Sequence, residues 1–97
     1  MKNILKYVLM PTDVQTLSIQ SYSVLSVQEQ KGDIVVYALV DHDLPVVEYE
    51  FRVVGTGHTI AFNPEDMEFL GTVKLHNGAL MFHIFCREVT QEKPSTF

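Results

Sequence analysis

The segment of this chain best suited to hold a small ligand is Gly55-Thr56-Gly57-His58. Glycines on either side of a hydroxyl residue permit positive φ angles and a close backbone approach. Successive amides in such a turn can line a small concavity for an anion, with Thr56 and His58 adding side-chain donors. Arg52, three residues upstream, supplies a guanidinium suited to a phosphate or carboxylate, and His83 is expected to assist. The plain structural alternative is that the two glycines only bend the chain at a sheet corner.

Catalytic chemistry has little to build on, and a non-enzymatic protein with no catalytic residue is expected. The sequence has no CxxC pair, no HExxH, no phosphate-binding glycine loop ending in Lys-Ser or Lys-Thr, and no Gly-x-Ser-x-Gly elbow. The four histidines, His42, His58, His76 and His83, match no short-range metal-ligand spacing. Neither a metal nor a cofactor is therefore expected. Glu48 and Glu50 are spaced as neighbours on one strand face, which suits a solvated surface better than an acid/base pair. The single cysteine, Cys86, stands in Phe-His-Ile-Phe-Cys and reads as a small buried hydrophobe, and alone it makes no intramolecular disulfide.

The elements that must position these residues read as strands, because apolar and polar residues alternate and no window carries a helical period. Strands are expected over 4–10, 14–20, 23–30, 34–40, 46–54, 69–76 and 79–88. One short helical turn is expected near 64–68, with Asn63 as its N-cap and Pro64 in first position. The run from Ile34 to Val40 is apolar on both faces, so it should be central and covered twice, by a second sheet or a partner chain. Asn77-Gly78 is a hairpin signal, and counting outward from it sets the register. His76 should face Ala79, Leu75 face Leu80, Val73 face Phe82, Thr72 face His83 and Phe69 face Cys86. One face then carries Phe69, Val73, Leu75, Leu80, Phe82, Ile84 and Cys86 into the core. The other is mixed and holds Leu70, Thr72, Lys74, His76, Met81, His83 and Phe85.

About seven antiparallel strands in 97 residues imply an all-β fold, a sandwich or a partly open barrel. Residues 1–89 should form a single β domain and residues 90–97 a flexible tail. Hydrophobic residues are 46% and charged residues 20%, a globular balance. Seven Lys and Arg against twelve Asp and Glu give a net charge of -5, which offers no electrostatic footprint for duplex nucleic acid or an anionic membrane. No apolar stretch approaches the ~20 residues of a membrane helix. Lys6 interrupts the apolar opening, so no signal peptide is expected and a cytoplasmic protein is the default. Two doubly apolar strands in so short a chain point to a homo-oligomer whose interface covers the mixed face of the last hairpin.

Several stretches carry a resemblance: Lys2-x-Ile4-x-Lys6-Tyr7, Leu25-Ser26-Val27-Gln28, Ala38-Leu39-Val40-Asp41, Gly55-Thr56-Gly57-His58, Leu70-Gly71-Thr72-Val73 and the run from Leu75 to Phe85. Over nearly the whole chain up to about Val89, it resembles small proteins of unknown function common in bacteriophage and prophage genomes. The resemblance implies a phage origin and the host cytoplasm, and brings no catalytic residues with it. By analogy with that setting, the expected role is an inhibitor of bacterial anti-phage defence that binds a host protein or a small anionic nucleotide signal. The alternative is a minor structural or assembly component of a phage particle.

Overall fold

Alternating side chains need two layers to bury one face each, and the chain supplies them as two antiparallel sheets. A computed structural model describes residues 1–89, apart from the side chains of residues 21 and 22. Strands β1 (Lys2–Leu9), β2 (Val14–Ile19), β3 (Ser21–Gln30), β4 (Asp33–Asp41), β5 (Val47–Gly55), β6 (Glu68–Leu75) and β7 (Leu80–Val89) follow in chain order. Three form one sheet in the order β1-β4-β3, and four form the other in the order β2-β5-β7-β6. The two sheets make an open sandwich rather than a closed barrel. The expected tail, 90–97, lies outside the described residues.

Between the sheets lie Ile34, Val36, Ala38 and Val40 from β4, Tyr49, Phe51 and Val53 from β5, Val73 and Leu75 from β6, and Ile84 and Cys86 from β7. β4 is the middle strand of its sheet, as its two apolar faces imply. On its outer face Val35 is fully buried between its register neighbours Val8 and Gln28, while Tyr37 and Leu39 are half-buried. Lys31 (φ 53°) and Gly32 (φ 86°) close the β3–β4 hairpin in left-handed conformations, and the Glu29 carboxylate accepts from the Gly32 amide at 2.6 Å. A 3₁₀ turn at Pro64–Asp66 fills the place expected for a helical turn, with the Asn63 side chain accepting from the Glu65 amide at 3.1 Å.

The final hairpin keeps the register counted from Asn77-Gly78 through Leu75–Leu80, Val73–Phe82 and Thr72–His83. Beyond that a bulge intervenes, so Phe69 pairs with Phe85, and the expected Phe69–Cys86 pairing is overturned. An extra residue in one strand sends everything past it to the opposite face. Phe69 therefore points outward, 57% exposed, while Leu70 packs against the core. Leu80, also assigned to the core by alternation, is exposed at the hairpin end. Gly71 (φ 155°) sits at this bulge, where an added Cβ would lie 3.1 Å from Val27 Cγ1 on β3. Gly71→Val should overpack that contact and cost about 1–3 kcal/mol, read as a lower urea midpoint. An unchanged midpoint would show that β3 and β6 are not closely joined there.

Candidate functional site

Of the residues expected of the site, Arg52 and His83 lie on the outer face of the four-stranded sheet, and Gly55 to His58 form the end of β5 and the turn after it. Arg52 lies beside Phe85 in the β5–β7 register, Val54 beside His83 and Glu50 beside Arg87. After β5 the chain turns sharply. The His58 amide donates to the Gly55 carbonyl at 3.1 Å and Gly57 takes φ 88°, the left-handed position that a type II turn reserves for glycine. The His58 ring folds back over Gly55, where a Cβ would lie 3.1 Å from ring atoms Cε1 and Nδ1. Gly55 is thus needed for close approach and Gly57 for its backbone angle.

The anion-binding row of amides expected in this turn does not form as such. The Thr56 amide donates to the Met81 carbonyl at 3.2 Å, and the His58 amide is engaged as above. Two of the turn's amides are thus taken up within the fold, and Arg52 and His58 stand beside it as side chains able to donate. Arg52, Gly55 and His58 line a cavity of about 150 Å³ together with Asp13, Ile60 and Phe62. Arg52 is fixed on two sides. Its Nε donates to Glu50 Oε2 at 2.6 Å, and its guanidinium carbon lies 5.2 Å from the Phe62 ring centroid, within cation–π range. Phe62 meets Phe85 edge-on at 5.4 Å, and Phe69 packs on Phe85 at 5.3 Å. The chain's own loop thus supplies part of the cover that the mixed face requires.

Thr56 and His83 fall on the other side of Gly55. His83 Nε2 lies 2.8 Å from Thr56 Oγ1 and Nδ1 lies 2.9 Å from Thr72 Oγ1. A neutral imidazole has one donor and one acceptor nitrogen, and hydroxyls can answer either, so the ring is satisfied by its neighbours. His83 therefore ties the turn to β6 rather than reaching the Arg52 cavity. A second hollow of about 200 Å³ opens here, and Gly55 and His58 form the wall common to both.

Residue Glu50 corrects the reading of that strand face as solvated surface. It is 9% exposed and sits between two arginines, with Arg87 donating to Oε1 from Nε at 3.1 Å and from Nη2 at 2.9 Å. Arg52 at i+2 was visible in the sequence. Arg87 was not, because β5 and β7 are far apart in the chain. Phe62 and Asp13 were missed for the same reason, lying in connections that only the fold brings to β5.

Among the described residues, no group of three or more His, Cys, Asp or Glu is arranged to hold a metal ion, and no helix is long and apolar enough to cross a membrane. Cys86 is buried, and burial, reinforced by Glu68, pushes its thiol up to about 12, the opposite of an activated nucleophile.

The sequence profile of DUF7352, a domain of unknown function, matches residues 1–95. The chain belongs to the DUF7352 family. No curated protein and no solved structure shows a significant match to it.

In this DUF7352 domain the Glu50 cluster gives the site a pH signature. Burial raises the carboxyl's pKa, but the hydrogen bonds and charges of Arg87 and Arg52 outweigh it, and the net shift is downward. A carboxyl held below its unfolded value, about 4.3, adds stability above that pH and loses it as pH falls through the folded value. Glu50→Gln should cost about 1–2 kcal/mol at pH 7, the lower range because Arg87 is half-exposed. The gap between wild type and variant should then narrow below about pH 4. Urea midpoints at pH 7 and pH 3 read this directly, and a gap that stays constant would contradict it.

Proposed function

We propose that this DUF7352 protein is a non-enzymatic, phage-encoded binding protein that acts in the host cytoplasm. It counters a bacterial defence by capturing a small anionic nucleotide signal at the cavity between Arg52 and His58. The observation that carries this reading is the Arg52 guanidinium, held by Glu50 and laid against Phe62 at the cavity wall. Its bond to Glu50 uses Nε, which leaves the two Nη groups as donors for a phosphate or carboxylate. A cavity of about 150 Å³ is well below the ~300 Å³ at which whole-ligand pockets begin. It takes one anionic group, and the rest of the ligand lies on the outer sheet face beside Phe62. Asp13 at the same wall adds an acceptor for a hydroxyl or amino group, a combination that suits a nucleotide better than a bare anion.

A catalytic role has less support. His83 is paired with threonines rather than an orienting carboxylate, and Cys86 is buried with a raised pKa. The phage setting rests on the sequence resemblance and the defence role on analogy with that setting. Capture of a host protein on the same face is the nearest variant of this reading.

Equilibrium binding to a panel of mononucleotides and cyclic oligonucleotides tests it. Arg52→Ala and His58→Ala should each lose binding while the far-ultraviolet spectrum stays that of a β protein. Unchanged affinity in both variants would sink the site. A structural particle component is the competing role. It requires the protein in purified virions, where a captured-signal inhibitor should be absent.

A further inference from the structure

We infer that the chain forms a two-fold symmetric homodimer through the free edge of β1, joining two three-stranded sheets into one of six. β1 pairs only with β4 among the described strands, and none of them pairs with its other edge. Such an edge is a template for another strand unless it is short, kinked, covered or guarded by charge. This one is eight residues long, contains no proline or bulge, and is exposed over nearly its whole length.

Lysine is the usual guard, and β1 carries two, Lys2 and Lys6. Lys6 Nζ donates to the neutral Gln30 Oε1 at 2.9 Å, which leaves its charge in place, so a partner strand must pair in a register that keeps like charges apart.

The apolar surface of the molecule is concentrated at the same place. Five of the eleven large exposed apolar side chains among the described residues lie between Met1 and Met10. Leu5 is the most telling. It stands opposite Ala38 on the core-facing row of the sheet, yet 37% of it is exposed because nothing flanks it on the edge side. On the outer row, Ile4 and Val8 are 58% and 50% exposed beside Leu39 and Val35. A strand added at this edge would flank all three.

Charge sets the register in which a second copy of β1 can pair. Antiparallel pairing about a two-fold axis must match core-facing residues with core-facing residues. Centring the axis on Leu5 sets Leu5 against its own copy, Asn3 against Tyr7, Ile4 against Lys6 and Lys2 against Val8. Moving the axis to Ile4 would oppose Lys2 to Lys6, and moving it to Lys6 would oppose Lys6 to itself, both unfavourable. Centring on Tyr7 avoids like charges but shortens the paired length. The Leu5-centred register is the longest in which every lysine meets an uncharged residue. The resulting sheet runs β3-β4-β1 in one protomer and continues as β1-β4-β3 in its partner. It leaves the Arg52 cavity on the other sheet untouched, so dimerisation and ligand capture are separable.

Sedimentation equilibrium on the full chain tests this. Wild type should sediment at twice its 11.0 kDa chain mass. Leu5→Glu, which sets two carboxylates together on the axis, should lose the dimer. Ile4→Glu, which places a carboxylate opposite the partner's Lys6, should keep it. Leu5→Cys guards against a variant that fails to fold. Cross-strand Cβ atoms at the axis lie about 5 Å apart, so mild oxidation should give a covalent dimer, and Met10→Cys, outside the paired span, should not. A wild-type monomer, a dimer that survives Leu5→Glu, or no cross-linking of Leu5→Cys would each overturn the proposal.

Discussion

Replacing Phe51 by alanine is expected to remove about 3–5 kcal/mol of stability and lower the urea midpoint by about 2 M for a slope of 1–3 kcal/mol/M. Phe51 is fully buried, the largest side chain so enclosed among the described residues, at the middle of β5. Its backbone neighbours are Gln15 on β2 and Cys86 on β7, so it sits where three strands of the larger sheet meet. Truncation there leaves a cavity the pleated sheet cannot close, and the cavity cost adds to the lost transfer energy. A domain of this size has about 5–15 kcal/mol in total, so a large part of its margin goes with one ring. Phe51→Leu keeps most of the volume and should cost less than half as much. A midpoint shift under about 0.5 M for the alanine variant, on the same slope scale, would mean that Phe51 is not at the centre of the core.

Arg52→Ala should weaken ligand binding by about 30- to 140-fold, the equivalent of 2–3 kcal/mol for charge-assisted hydrogen bonds. The effect on folding should be smaller, since Glu50 keeps its two bonds from Arg87 when Arg52 is gone. Arg52→Lys separates charge from geometry. A lysine restores a point charge but neither the planar fork nor the stack on Phe62, so it should recover only part of the loss. Full recovery would show that charge alone is read, and no loss in the alanine variant would remove Arg52 from the site. Competition isotherms with the tightest ligand of the panel give all three numbers.

Local sequence rules reach this fold far into its detail and then stop at identifiable residues. Alternation of Val47, Tyr49, Phe51 and Val53 with charged neighbours marked the core face of β5, and Asn77-Gly78 set the hairpin register as far as Thr72 and His83. The register failed at Leu70–Gly71 because a bulge depends on what packs beside it, here Val27 of β3. The candidate site divides in the same way. Gly55, Gly57 and His58 announced a turn from their types alone, and the turn is there. Where its amides point depends on Met81, a cross-strand neighbour. Glu50 was misread as solvated because its second arginine comes from β7, placed next to β5 by a pairing between strands not adjacent in the chain. Phe62 lies in a loop without periodicity, and only the folded chain shows that it carries Arg52.

A small anion held between Arg52 and His58 should be visible by native mass spectrometry. The protein would be purified from a bacterial host without denaturation, then incubated with the nucleotide panel. Wild type should carry a defined added mass, and His58→Ala and Arg52→Ala should stay bare under the same conditions. Wild type that stays bare with every member of the panel, or added mass that both variants retain, would contradict it.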